Sequence, residues 1–208
     1  VRVNPCGAEI SYKSDVLKQA CFAAKEHSEL ISQVQGNLNS VEHEILVANS
    51  EGLLKQDRHV RTRLAISTVA SDAGENQAGF TGPGYAMGLE MFEFLDPKAV
   101  GIEAARQAMV NLRADYCPAG QMTVAIENGF GGVIFHEACG HSLEATQVGV
   151  GMSEMCGKLG QKIANEKITA IDDGTIPNAW GSVNIDDEGN PTQRNVLIEN
   201  GVLKSYMV

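Results

Sequence analysis

Apolar positions along the chain change their period several times, and each change predicts a different kind of element. In "SDVLKQACFAAKEH" (14–27), Val16, Leu17, Ala20, Cys21 and Ala24 recur at helical spacing, with Ser14 suited to cap the start and His27 the end. From about residue 28 to 86 the period shortens to two. "ELISQVQG", "EHEILVAN" and "RTRLAISTVAS" read as strands, "NSEG" as a turn, and Leu64, Ile66, Thr68 and Ala70 share one face. An antiparallel meander is expected, then a glycine-weakened edge strand in "GENQAGFTGPGYAMG". Helical spacing returns after Asp96 and Pro97, an N-cap and a first helical position, with Val100, Ala104, Ala108 and Leu112 recurring every fourth residue.

"DYCPAG" at 115–120 breaks that helix, and the alternating "QMTVAIE" after it reads as a strand. A helix is expected from about 130 through "FHEACGH". A weaker one follows, with Met155, Leu159 and Ile163 four apart but interrupted by Gly157 and Gly160. Asn200-Gly201 between two alternating runs predicts a tight hairpin. The repeated "IDDG" and "IDDEG" read as acidic turns. The expected class is α+β, with antiparallel sheets, a few helices and a two-part architecture: an α+β part over 1–117 and the start of a second domain over 118–208.

Composition narrows the functions available. A hydrophobic fraction of 43% with 20% charged residues suits a globular protein with a real core. Acidic residues outnumber basic ones 26 to 16, for a formal charge of −10, so phosphate backbones are repelled and nucleic acid is not an expected partner. Five scattered cysteines without a CxxC pair suggest reduced thiols in a cytoplasmic protein, packed as small, mostly buried hydrophobes. The opening "VRVNPCGAEI" has no secretory pattern, and no apolar run is long enough to cross a bilayer.

The chemistry concentrates in "FHEACGH" (135–141), where His136 and His141 lie five residues apart and Glu137 follows the first. At about 100° per residue, a regular α-helix would turn two such side chains about 140° apart. A π-turn, whose hydrogen bond spans five residues, would return them to one face, and Gly140 is suited to such a distortion. The two imidazoles would then bind Zn²⁺, and Glu137 would take a proton from a water whose pKa the metal lowers toward about 7. Two hydrogen-bonded core histidines, with Glu137 favouring a helix start, are the alternative that spacing alone leaves open. A catalytic zinc needs a third protein ligand, and none has decisive spacing: Glu144 is nearest, while Cys139, Cys156, Asp172, Asp173, Asp186 and Asp187 would have to approach through the fold. His27, His43 and His59 read as a helix end and two strand positions.

These residues resemble the TldD/PmbA family, also called modulators of DNA gyrase, in the branch that keeps the metalloprotease motif. The likeness runs from "ANSEG" and the following Asp57, Arg61, Arg63 and Leu64 through "GVIFHEACGHSLEA" (132–145) to "IDDGTIPNAWGSVNIDDEGNPTQRNVLIENGVLKSYM" (171–207). It implies a cytoplasmic zinc-dependent peptidase acting on unfolded peptides or small precursor proteins, with a PmbA-type partner or a second copy and no membrane. The implied roles are metal binding by His136 and His141 and catalysis by Glu137. The family's third ligand, a cysteine far downstream, has no counterpart in 1–208. The chain therefore reads as an internal fragment, with 118–208 the start of the metal-binding catalytic domain, expected to bind zinc weakly or not at all and to be inactive alone. A non-catalytic subunit of such a complex is the competing reading. The acidic turns at Asp172, Asp173, Asp186 and Asp187, with Thr175 and Thr192, would either line a substrate cleft or simply form turns.

Overall fold

The computed structural model describes residues 1–208, the side chain of Phe130 apart. It is an α+β protein that divides into two units: residues 1–117 with 176–190, and residues 118–175 with 191–208. The backbone thus leaves the first unit near residue 117, returns to it over 176–190 and then leaves it again.

In the first unit, helix α1 (Ile10–Glu26) precedes strands β1 (Ile31–Ala48), β2 (Leu54–Asp72), β3 (Glu75–Thr81) and β4 (Gly84–Tyr85), and helix α2 (Pro97–Arg113) follows. The strands form the expected antiparallel meander β1-β2-β3, with β4 also pairing to β2. Helix α1 begins at Ile10 rather than after Ser14, with Glu9 at its N-cap and no side-chain cap bond. Once a helix is nucleated, adding residues costs little, so Ser14 is simply absorbed into it. The two runs expected before residue 50 are one strand of 18 residues, because a continuous ladder with β2 carries the backbone through Gly36. A Cβ at Gly36 would sit 2.6 Å from Cys21 Sγ, so the residue admits α1 close to the sheet. The turn between β1 and β2 forms where expected, as Asn49 Oδ1 accepts the N–H groups of Glu51 and Leu53 at 3.0 and 3.1 Å.

Burial alternates along β2, with Val60, Thr62, Leu64, Ile66, Thr68 and Ala70 inward. Of these, Leu64, Ile66 and Ala70 meet Ile31 of β1, Val16, Ala20 and Ala24 of α1 and Val100, Ala104, Ala105 and Ala108 of α2 in one core. Asp96 caps α2 by accepting Lys98 N–H at 2.9 Å, and Pro97 opens the helix, as its sequence predicts. The buried Thr68 hydroxyl donates to the Ala104 carbonyl at 2.9 Å, which satisfies a polar group where helix and sheet touch.

The returning segment is held by polar contacts. Asn184 Nδ2 donates to Asp57 Oδ1 at 2.8 Å, Arg61 Nε to the Trp180 carbonyl at 2.8 Å, and Ala86 N–H to the Asn178 carbonyl at 3.0 Å. Asp57 also holds His59 Nε2 at 2.7 Å, so His59 is locally bonded as its strand position suggested. Burial pushes the Asp57 carboxyl up, but the hydrogen bonds from Asn184, Arg58 N–H and His59 outweigh it and leave the pKa lowered.

Glu90 is a second buried carboxylate, 5% exposed, and it accepts Arg2 N–H and Val3 N–H at 2.9 Å each. Burial raises its pKa, yet these and other backbone N–H groups hold it below the ordinary range. A folded pKa below the unfolded value gives stability that is present above about pH 4.3 and lost as pH falls through the folded value. Glu90→Gln is therefore expected to cost about 2 kcal/mol at neutral pH and to remove part of the acid-side slope. Urea melts at neutral and acidic pH measure both, and an unchanged slope would exclude Glu90 as a source of acid sensitivity.

In the second unit, β5 (Ala170–Asp173), β6 (Arg194–Glu199) and β7 (Val202–Leu203) form an antiparallel sheet. The Asn200-Gly201 hairpin is present, with φ of 49° and 81° at the two residues, the pair of positive angles a two-residue type I′ turn requires. Two expected elements are absent. Residues 121–127 form no strand, because a strand exists only by pairing and no ladder partner occurs among the described residues; Met122, Val124 and Ile126 remain exposed. Residues 155–163 form turns rather than a helix, since Gly157 and Gly160 take φ of 69° and 78°. Met155 and Ile163 still pack on the unit's core of Leu143, Ala170, Leu197, Ile198 and Leu203. "IDDG" also departs from a pure turn, its Asp172 and Asp173 ending β5, whereas Asp186 in "IDDEG" accepts the N–H groups of Glu188 and Asn190 as a turn residue. The five cysteines form no disulfide and are less buried than expected: Cys6 and Cys117, which lie outside the helices and strands, are exposed, and the other three are half-buried.

Candidate metal centre

The motif segment passes through three helical geometries within eleven residues. A short α-turn over Val133–Phe135 opens into a π-turn over His136–Gly140, which tightens to a 3₁₀ turn over His141–Leu143. The His141 N–H donates to the His136 carbonyl, the five-residue bond that brings the two histidines to one side. Their ring centroids lie 4.3 Å apart, with ring planes at 65°. Gly140 contributes differently from the expectation. It has ordinary right-handed angles, φ −55° and ψ −56°, and a Cβ there would meet His136 Nδ1 at an unstrained 3.6 Å. The overfull turn therefore does not depend on glycine's backbone freedom.

Inward and outward sides of this turn have different chemistry. Leu143 is fully buried and Cys139 packs against the same core, whereas His136, Glu137 and His141 are exposed. One potential ligand atom from each of those three lies within 4.8 Å of the others, and no other group of this kind occurs among the described residues. Two imidazole nitrogens at such a separation suit a first-row divalent ion, with the Glu137 carboxylate close enough to act on a water beside it. Beside Glu137 lies an apolar hollow lined by Gly131, Val133, Ile134 and Ala138.

The other candidate ligands have partners of their own. Glu144 Oε1 lies 2.7 Å from His141 Nδ1. Burial pushes the Cys139 thiol up, away from the thiolate that binds metal. Cys156 Sγ donates to the Val148 carbonyl at 3.3 Å, and Asp173 accepts both the N–H and the hydroxyl of Thr175. Asp186 is held in its own turn, while Asp172 and Asp187 are exposed. The Glu144 contact was not anticipated, although its place three residues after His141 is a spacing at which helical side chains meet.

Comparison with known proteins identifies the family. Residues 4–112 match the PmbA/TldA metallopeptidase central domain, and residues 119–208 the PmbA/TldA metallopeptidase C-terminal domain. A metalloprotease TldD homologue of Haemophilus influenzae is 38% identical over 200 residues, covering 94% of this chain and 42% of that protein. A metalloprotease of Methanothermobacter thermautotrophicus is 39% identical over 159 residues, 76% of this chain and 35% of that one. The chain thus spans less than half the length of these relatives. Its fold matches a crystal structure from Thermotoga maritima described as a modulator of a DNA gyrase, with a TM-score of 0.82, 23% identity, and coverage of 98% of this chain and 46% of that one. TldE from Thermococcus kodakarensis matches with a TM-score of 0.70 and 22% identity, covering 93% and 43% of the two chains. Two domain matches that together span nearly the whole chain, joined to relatives of this identity, place it in the TldD/PmbA metallopeptidase family.

Proposed function

We propose that this chain carries part of the catalytic centre of a zinc peptidase that hydrolyses unfolded peptides or small precursor proteins. The observation that carries the reading is the π-turn that brings His136 and His141 to one side with Glu137 between them in sequence. A zinc ion held by the two imidazoles would supply Lewis acidity toward water and the peptide carbonyl. Glu137 is the general base: its exposed carboxylate accepts the proton of the attacking water and returns it to the leaving amine. The hollow beside Glu137 offers an apolar side chain of the substrate somewhere to rest. A third ligand contributed from outside residues 1–208, a PmbA- or TldE-type partner or second copy, and a cytoplasmic location complete the proposal. Direct DNA binding is no part of it, given the net charge of −10.

Metal content tests the reading. The natural protein purified without chelators is expected to hold about one zinc per chain, and His136→Ala and His141→Ala are each expected to lose it. A metal-free wild type, or variants that retain the same metal, would favour the non-catalytic subunit instead.

A further inference from the structure

Within that metallopeptidase reading, we propose that Glu144 is a positioning residue: it accepts the Nδ1 proton of His141 and so presents the Nε2 lone pair to the cation. The contact is direct, with His141 Nδ1 and Glu144 Oε1 2.7 Å apart.

The backbone around Glu144 is anchored independently of its side chain. The 3₁₀ turn ends at Glu144, which takes an extended conformation of φ −66° and ψ 126°. There it forms a parallel bridge to Met207. Ala145 N–H donates to the Met207 carbonyl at 2.7 Å, and Met207 N–H to the Leu143 carbonyl at 2.9 Å. Leu143, the residue before Glu144, is 0% exposed and sits in the core. The carboxylate thus reaches back to His141 from a fixed support.

This matters because a neutral imidazole carries its proton on either nitrogen, and only the other nitrogen binds metal. A carboxylate on Nδ1 selects the tautomer with Nε2 free, fixes the ring plane and makes Nε2 a better donor. The same bond gives Glu144 a role other than third ligand. It is absent from the group whose ligand atoms lie within 4.8 Å of one another.

The test reads the tautomer directly. In the natural protein, stripped of metal and at mildly alkaline pH, side-chain ¹⁵N NMR is expected to show His141 protonated on Nδ1. Glu144→Ala is expected to shift it toward the Nε2-protonated form and to weaken zinc binding by about 10- to 100-fold. Glu144→Gln, whose amide oxygen can still accept the Nδ1 proton, should keep the tautomer and recover most of the affinity. Circular dichroism melts of both variants check that the fold, held here by backbone bonds, persists. An Nε2-protonated His141 in the wild type overturns the proposal, as does a Glu144→Ala protein with unchanged tautomer and affinity. A wild type whose Nδ1 proton depends on Glu144 but which binds no zinc supports the orienting contact and overturns the metallopeptidase reading instead.

Discussion

Glu137→Gln is expected to lower peptide hydrolysis by on the order of 10²- to 10⁴-fold in the natural protein while leaving its metal content unchanged. Glutamine has nearly the shape of glutamate, but its amide takes up no proton at neutral pH. The barrier should therefore rise by about 3–5 kcal/mol through loss of proton transfer alone. Glu137 is exposed, so the substitution removes no packing and stability should hold. Paired measurements of kcat and of metal per chain decide the matter. Hydrolysis that survives with metal in place would rule out Glu137 as the general base. Activity and metal lost together would instead make it a ligand.

The second large effect is structural. Gly101→Ala is expected to destabilise the first unit by about 2–4 kcal/mol, the upper range for overpacking, and to lower its melting temperature by roughly 10 °C. Alanine would normally gain about 1 kcal/mol over glycine inside a helix. Here α1 and α2 cross at Gly101 so closely that a Cβ would overlap the Ala20 carbonyl oxygen, with Ala20 C at 2.9 Å and Ala24 N at 3.2 Å. Backbone atoms cannot rotate away as a side-chain tip could, so the helices must separate and the small-residue seam of Ala20, Ala24, Ala104, Ala105 and Ala108 must open. A thermal melt that rises would show the crossing to be softer than its geometry indicates.

Local features of this protein were legible wherever one short stretch of chain contained its own cause. The Asp96-Pro97 helix start, the Asn200-Gly201 hairpin and the inward face of β2 each follow from neighbouring residues acting on their own backbone or on a period-two pattern. The five-residue histidine spacing belongs with them: only an overfull turn can bring those side chains to one face, and that turn is present. Gly140 shows the limit of such reasoning, since its sequence suggested a freedom that the backbone does not use.

The amino-acid sequence by itself determined the α+β class, the helix and hairpin punctuation and the grouping of His136, Glu137 and His141, because these depend on forces within a few residues. Tertiary structure alone decided that 121–127 stays unpaired and that 176–190 is clasped by Asp57, Arg61 and Ala86. It also decided that Gly101 marks a helix crossing and that Glu144, steadied by Met207, engages His141. Each of these depends on a partner distant in sequence or on a contact geometry that local patterns do not encode, and a backbone ladder or a close crossing exists only once that partner arrives.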